Sequence, residues 1–268
     1  HMHLHLLVDL SCDLSHGELL AALRGLVEAF PVLGCRYRPG WWRDRWVPWE
    51  GDLATLCEVT RVENLEAATE AWAQRPMRYL EEPTIRLAFL GALGEEGGRL
   101  VLSLHHMTAD GGGIKAAGAV LASLLCGVEP DPPASDDRAL MNVARQLRPR
   151  DLPVLAQEML REGLLPISTL RVQRLDYGEP RGSGAPDPLW HPVHLAGRAA
   201  AQLVATCKDH GATINDALVA TVARLGARRS QQGPVMVAYT VDLRRYLQRR
   251  RAQVTNLAGV SMVVLERS

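Results

Sequence analysis

Residues 102–113 read Leu-Ser-Leu-His-His-Met-Thr-Ala-Asp-Gly-Gly-Gly and hold the side chains in this chain best suited to proton transfer. Histidine has an unperturbed pKa of about 6.5, so it takes and returns a proton near neutrality. The apolar run before His105 predicts a strand, and a strand end holds a side chain rigidly. The three glycines after Asp110 predict the start of a helix. Glycines let a ligand approach the backbone closely, and a helix N-terminus adds donors where an oxyanion forms. Neighbouring residues on a strand point to opposite faces, so only one of His105 and His106 can face a cleft, and the two should not share a metal ion. The plainer reading is a strand–turn–helix connection whose histidines satisfy backbone groups.

Other chemistry-bearing residues form weaker patterns. His191 and His194 have a spacing compatible with metal ligation but fall on a predicted strand beside a loop, which favours surface or core histidines. Ser103 has no G-x-S-x-G around it, so a nucleophile elbow is not expected. Trp41, Trp42, Trp46 and Trp49 either grip an apolar or sugar-like ligand or, more commonly, cover a hairpin on the core, with Arg43 or Arg45 stacked on them. The run Arg244–Arg251 reads either as a contact for a phosphate or an acidic partner or, more simply, as a solvated face.

The surrounding pattern supplies elements to position these groups. His3–Leu10 reads as a half-buried strand, and Ser15 with Glu18 as the capping box of a helix that Pro31 ends. A strand over 33–38, an aromatic hairpin or loop over 41–49 and a helix over 63–74 follow. Strands over 85–93 and 99–105 flank the glycine-rich turn 94–98, and a helix is expected from about Ile114 to Leu125. Residues 129–137 read as a surface connection, a helix is predicted over 153–162, and the turn-rich segment 178–188 reads as a linker. Beyond it come a strand over 189–195, a helix around 198–210, a second helix capped by Thr213 and Asp216, and strands over 235–243 and 259–265. The order predicts a mixed α/β fold in two lobes, residues 1–177 and 189–268.

Composition bounds the class. The chain has 268 residues, 47% of them hydrophobic and 22% charged, which excludes wholesale disorder. Thirty basic and thirty acidic side chains cancel, so net charge gives no argument for nucleic acid or an anionic membrane. No apolar run approaches the roughly 18–20 residues of a membrane span, and no charged start leads into an apolar signal core. The five cysteines are scattered with no C-x-x-C, which fits thiols in a reducing cytosol, so a cytoplasmic protein is expected. His1-Met2 reads as a cloning remnant.

His105-His106-x-x-x-Asp110-Gly111 resembles the HHxxxDG motif of the superfamily that contains chloramphenicol acetyltransferase, peptide-synthetase condensation domains and wax-ester synthases. Residues 4–33 resemble the first strand and helix of such domains. Thr213–Leu218 resembles their T-x-N-D helix start, Val241–Arg244 their V-D-L-R strand end, and Val254–Gly259 a later segment whose asparagine lies near the channel. The resemblance implies a two-lobe acyltransferase with His106 as general base or positioning residue and His105 structural. It pairs Asp110 with Arg244, puts Asn256 at the channel, and lets Gly111 and Gly112 open the helix beside the site. The implied donor is acyl-CoA or a phosphopantetheinyl carrier protein, and the acceptor an amine or alcohol; no bound cofactor or metal is implied. Family members continue beyond the point matching Ser268, so the second lobe is expected to be incomplete and to be covered by a second polypeptide or by self-association. A catalytically idle carrier-binding module and an epimerising or cyclising relative are the alternatives.

Overall fold

Local signals and packing together explain why each segment of the first half takes its form. The computed structural model describes residues 3–130, 153, 195–229, 235–246 and 254–265. Strand β1 (His3–Leu10) leads to helix α1 (His16–Ala29), where the Ser15 hydroxyl accepts from the Glu18 N–H at 3.2 Å and the Glu18 carboxylate accepts from the Ser15 N–H at 2.8 Å. This reciprocal cap satisfies donors that the first turn leaves free. Leu19, Leu23 and Leu26 then form a fully buried stripe. Pro31 ends the helix by opening a 3₁₀ turn (Pro31–Gly34), so the next strand, β2, begins at Cys35 rather than at 33 and runs to Arg38. It pairs antiparallel with β3 (Arg45–Pro48).

Strand β4 (Cys57–Val62) has no counterpart in the sequence expectation. Its six residues bury only Cys57, and its alternation is muted by Glu58, Thr60 and Arg61. Helix α2 (Leu65–Gln74) is capped by the Asn64 side chain, which accepts from the Ala67 N–H at 3.0 Å. Strands β5 (Ile85–Ala92) and β6 (Gly98–His105) join through a turn whose Gly94 and Gly97 have φ of 79° and 85°, a region that suits glycine. The sheet order is β1-β6-β5-β4, antiparallel except for the parallel β4–β5 edge.

The main core lies on one face of this sheet. Leu100, Leu102 and Leu104 of β6 and Ile85, Leu87 and Phe89 of β5 pack with α1 and with helix α3 (Gly111–Leu125). On the other face Trp72 of α2 packs on Ala88, Leu90 and Val101. This places the end of β6 and the start of α3 on a buried platform.

The second half contributes helices α4 (Gly197–Asp209) and α5 (Ile214–Arg229) and strands β7 (Val235–Asp242) and β8 (Ala258–Leu265), which pair with each other. Thr213 and Asp216 form a second reciprocal cap at the start of α5. Ile214, Leu218, Val222 and Leu225 of α5 are exposed. Contacts divide the chain into two compact units, 1–147 with 242–258, and 148–241 with 259–268. Residues 242–258, placed in the second lobe on sequence order, thus group with the first unit, because they bond to the end of β6 and the start of α3. The expected connection beyond residue 130, the helix over 153–162, the linker 178–188, the strand from 189, and His191 and His194 lie outside the described residues, apart from isolated positions. Among the described residues no helix is long and apolar enough to cross a membrane.

Candidate active site

Strand β6 ends at His105, whose N–H donates to the Thr84 carbonyl at 3.0 Å and whose carbonyl accepts from the Thr108 N–H at 2.9 Å. The buried hydroxyls of Thr84 and Thr108 hydrogen-bond to each other and tie the turn to the start of β5. The His105 ring points inward. Its Nδ1 accepts from the Met107 N–H at 3.2 Å, which assigns the proton of the neutral ring to Nε2. Tyr79 and His3 lie beside it, with ring centroids at 4.7 and 5.6 Å. Burial, and then the neighbouring His106, lower the His105 pKa, so the ring is held neutral as a structural acceptor.

His106 follows in the turn just past the end of β6 and is half-buried. Asn256 reaches it from residues 242–258, with its Nδ2 at 3.4 Å from the His106 Nδ1 and at 3.4 Å from the His106 carbonyl oxygen.

Asp110 explains why the strand becomes a helix where it does. Its carboxylate caps α3, accepting from the Gly113 N–H at 2.8 Å, so the helix starts at Gly111, three residues before the expected Ile114. The side chain is buried, and Arg244 Nη1 lies 2.8 and 3.0 Å from its two oxygens. The Leu257 N–H donates to Oδ2 at 2.7 Å. Burial pushes the carboxyl pKa up, but the bond and charge of Arg244 and the N–H groups of Gly113 and Leu257 outweigh it and hold the group below the ordinary carboxylate range. Arg244 also donates to the Thr255 carbonyl at 2.8 Å and contacts Asp242 at 3.2 Å. One arginine therefore ties the helix start to both ends of the segment 242–258.

The three glycines differ. A side chain on Gly112 would collide with Arg244 Nη1, and one on Gly113 would meet the Ala109 Cβ at 2.9 Å and the Thr255 carbonyl at 3.2 Å. A side chain on Gly111 would meet nothing within 4 Å.

No family model matches this sequence, and no curated protein matches it. Solved structures do match. The first condensation domain of the calcium-dependent antibiotic synthetase, solved with a substrate analogue, is 19% identical with a TM-score of 0.73, over 99% of this chain and 64% of that one. The condensation domain for chain release from the enacyloxin polyketide synthase is 19% identical with a TM-score of 0.65, over 98% and 53%. The epimerization domain of the third module of tyrocidine synthetase B is 15% identical with a TM-score of 0.65, over 99% and 62%. This chain has the condensation-domain fold. It spans less than two thirds of the length of these neighbours.

Within the condensation fold, His105, His106, Asp110, Gly112, Arg244 and Asn256 come together around one turn, while Gly111 stands at its edge. Ser103 is fully engaged, with His5 Nδ1 at 2.9 Å from its Oγ and Trp72 Nε1 donating to it at 3.1 Å, and it is buried away from any nucleophilic role. The four tryptophans, read either as a ligand grip or as cover for a hairpin on the core, divide in the structure. Trp46 and Trp49 are half-buried, but Trp41 and Trp42 are 96% and 78% exposed because they occupy the turn between β2 and β3. Sequence reasoning missed Tyr79, Thr84, Thr255 and Leu257. Two of these act through backbone atoms and leave no side-chain signal; His3, opposite His105 in the β1–β6 register, emerges only from pairing.

Proposed function

We propose that this chain carries the active site of an acyltransferase that moves an acyl group from a CoA or carrier-protein thioester to an amine or hydroxyl. The observation that carries the reading is the half-exposed His106, held by the turn and contacted by Asn256 while His105 faces inward. In the reaction the acceptor N–H or O–H gives its proton to a His106 ring nitrogen as its lone pair attacks the thioester carbonyl carbon. The C–S bond then breaks and the leaving thiolate takes the proton, giving an amide or ester and a free thiol. A base so placed contributes about 10²–10⁴-fold, with orientation supplying much of the rest. The Asp110–Arg244 pair holds the geometry and stays out of the proton path.

The test is thiol release from short- and long-chain acyl-CoAs and from an acylated carrier protein, each with a panel of amines and alcohols. The reading requires turnover that depends on both donor and acceptor and is lost in His106→Ala at unchanged melting temperature; near-wild-type turnover in that variant would overturn it. A second reading, epimerisation by proton exchange at His106, is favoured by the likeness to an epimerization domain. It predicts deuterium uptake at the α-carbon of a carrier-bound aminoacyl group without thiol release.

A further inference from the structure

The hairpin of β2 and β3 does not contribute to the site described above, yet it carries an unusual surface. Residues 36–46 read Arg-Tyr-Arg-Pro-Gly-Trp-Trp-Arg-Asp-Arg-Trp, with arginine at four positions, tryptophan at three and tyrosine at one. These are the residue types that dominate binding energy at protein interfaces. Trp41 and Trp42 stand at the tip, 96% and 78% exposed, in an edge-to-face pair with centroids 5.7 Å apart. Two adjacent indoles left in water at one tip are costly to expose.

The tip is preformed. The Asp44 carboxylate accepts from the Tyr37 hydroxyl and from the Gly40 N–H at 3.1 Å, and the Tyr37 ring packs on Trp46 and Tyr79. Asp44 is thus occupied inside the turn. Among the described residues none of Arg36, Arg38, Arg43 and Arg45 has a carboxylate within ion-pair distance, and the last three are exposed. Three exposed arginines thus share this hairpin with two exposed indoles, in a chain whose overall charge is zero.

We infer that the tip of this hairpin docks a second protein whose surface presents carboxylates around an apolar hollow. The indoles fill the hollow and the arginines grip the carboxylates. Several features favour a protein over a lipid surface. All four cations are arginines, whose planar fork matches carboxylates in pairs, and the tip has no lysine and no aliphatic side chain to extend a membrane wedge. The small size of the tip fits a transient contact, strong enough to select a partner and weak enough to release it. The inference stands independently of the acyltransferase reading.

The experiment uses the full chain and follows tryptophan emission of the wild type, and for the wild type and every variant the anisotropy of the dye-labelled ligand, during titration with a synthetic amphipathic helical peptide bearing a leucine stripe flanked by glutamates. The same peptide with lysines in place of glutamates, and phosphatidylcholine vesicles with and without phosphatidylserine, are titrated in parallel. The expected result is a blue shift with the glutamate peptide that weakens as salt rises, about tenfold or more weaker binding in Trp41→Ala/Trp42→Ala, and a reduced salt dependence in Arg38→Glu/Arg43→Glu. Both variants alter exposed positions and should keep the wild-type melting temperature. Equal binding of the lysine peptide, binding to the phosphatidylserine vesicles alone, unchanged affinity in both variants, or no response to the glutamate peptide would each overturn the inference. So would a concentration-dependent dimer of the free chain that Trp41→Ala/Trp42→Ala abolishes, since the tip would then be a self-association surface.

Discussion

Arg244 Nη1 sits 2.8 Å from Asp110 Oδ1 across 134 residues of sequence, with side-chain exposures of 11% and 4%. A carboxylate this buried tolerates its charge only because the guanidinium and two backbone N–H groups face it. Asp110→Ala strands the arginine and removes the cap of α3, and is expected to cost about 3–5 kcal/mol. Arg244→Ala should cost about as much, and the double variant less than the two combined, because each single change already breaks the pair. Denaturant unfolding of all four proteins measures this; strictly additive losses would show that the pair is not coupled.

The same pair sets an acid limit. The folded Asp110 pKa lies below that of the unfolded chain, so the folded state prefers the carboxylate. Its stabilisation is fully present above the ordinary carboxylate range near pH 4, and is lost as pH falls through the lower folded value. Melting temperature followed into acid should fall less steeply in Asp110→Ala than in the wild type. Parallel curves would assign the acid limit to other groups.

Gly111, Gly112 and Gly113 offer a three-way contrast within one turn of helix. Gly112→Ala drives a methyl group into the Arg244 guanidinium, and Gly113→Ala into Ala109 and the Thr255 carbonyl, so both should destabilise, by about 1–3 kcal/mol. Gly111→Ala meets open space and gains helix propensity, so it should be neutral or stabilising by up to about 1 kcal/mol. Thermal melts of the three variants decide it. A destabilised Gly111→Ala with a tolerated Gly112→Ala would contradict the packing around Arg244.

How far the site was legible from sequence depended on whether a residue acts through its side chain or its backbone. His105, His106, Asp110, Arg244 and Asn256 announce themselves by type and by the order of the motifs that hold them. Strand alternation does not by itself separate the two histidines, because β6 ends at His105 and His106 lies in the turn, where it is half-buried while His105 is buried. Thr255 and Leu257 contribute a carbonyl and an N–H, which any residue there supplies, so no pattern marks them. The glycines mark the start of α3, but its exact first residue rests on the Asp110 cap and tertiary contacts, since glycines are poor helix formers. Strand β4 was lost for the opposite reason: at a sheet edge with one buried residue, its hydrophobic period is too faint to read. Which of the tryptophans are exposed does not follow from their type: Trp41 and Trp42 stand outside because they fall between the paired strands β2 and β3.

Histidines at the β1–β6 edge predict a second, milder pH dependence. Burial, followed by His105, His5 and Arg86, lowers His3 to about 4; burial and then Arg86 lower His5; burial and then His106 lower His105. Each ring is neutral in the folded state and charges more readily when unfolded. Stability from these groups is therefore complete above about pH 6.5 and declines as pH falls toward 4. Melting temperatures between about pH 7 and pH 5 should drop in the wild type, and less in His3→Gln/His5→Gln. A flat wild-type profile over that window would refute the assignment.

The division of labour at His106 yields the sharpest functional prediction. His106→Ala removes a half-buried ring, so folding should survive with a change within about 0.5 kcal/mol, while thiol release falls by about 10²–10⁴-fold. Asn256 meets that ring only at its edge, at 3.4 Å, so it acts as a positioning residue. Asn256→Ala is expected to lower kcat by about tenfold with KM for the thioester unchanged and the melting temperature unmoved, because orientation of the ring is lost while donor binding is untouched. A rise in KM at constant kcat would instead place Asn256 in donor binding, and an unchanged rate would show that the turn alone orients His106.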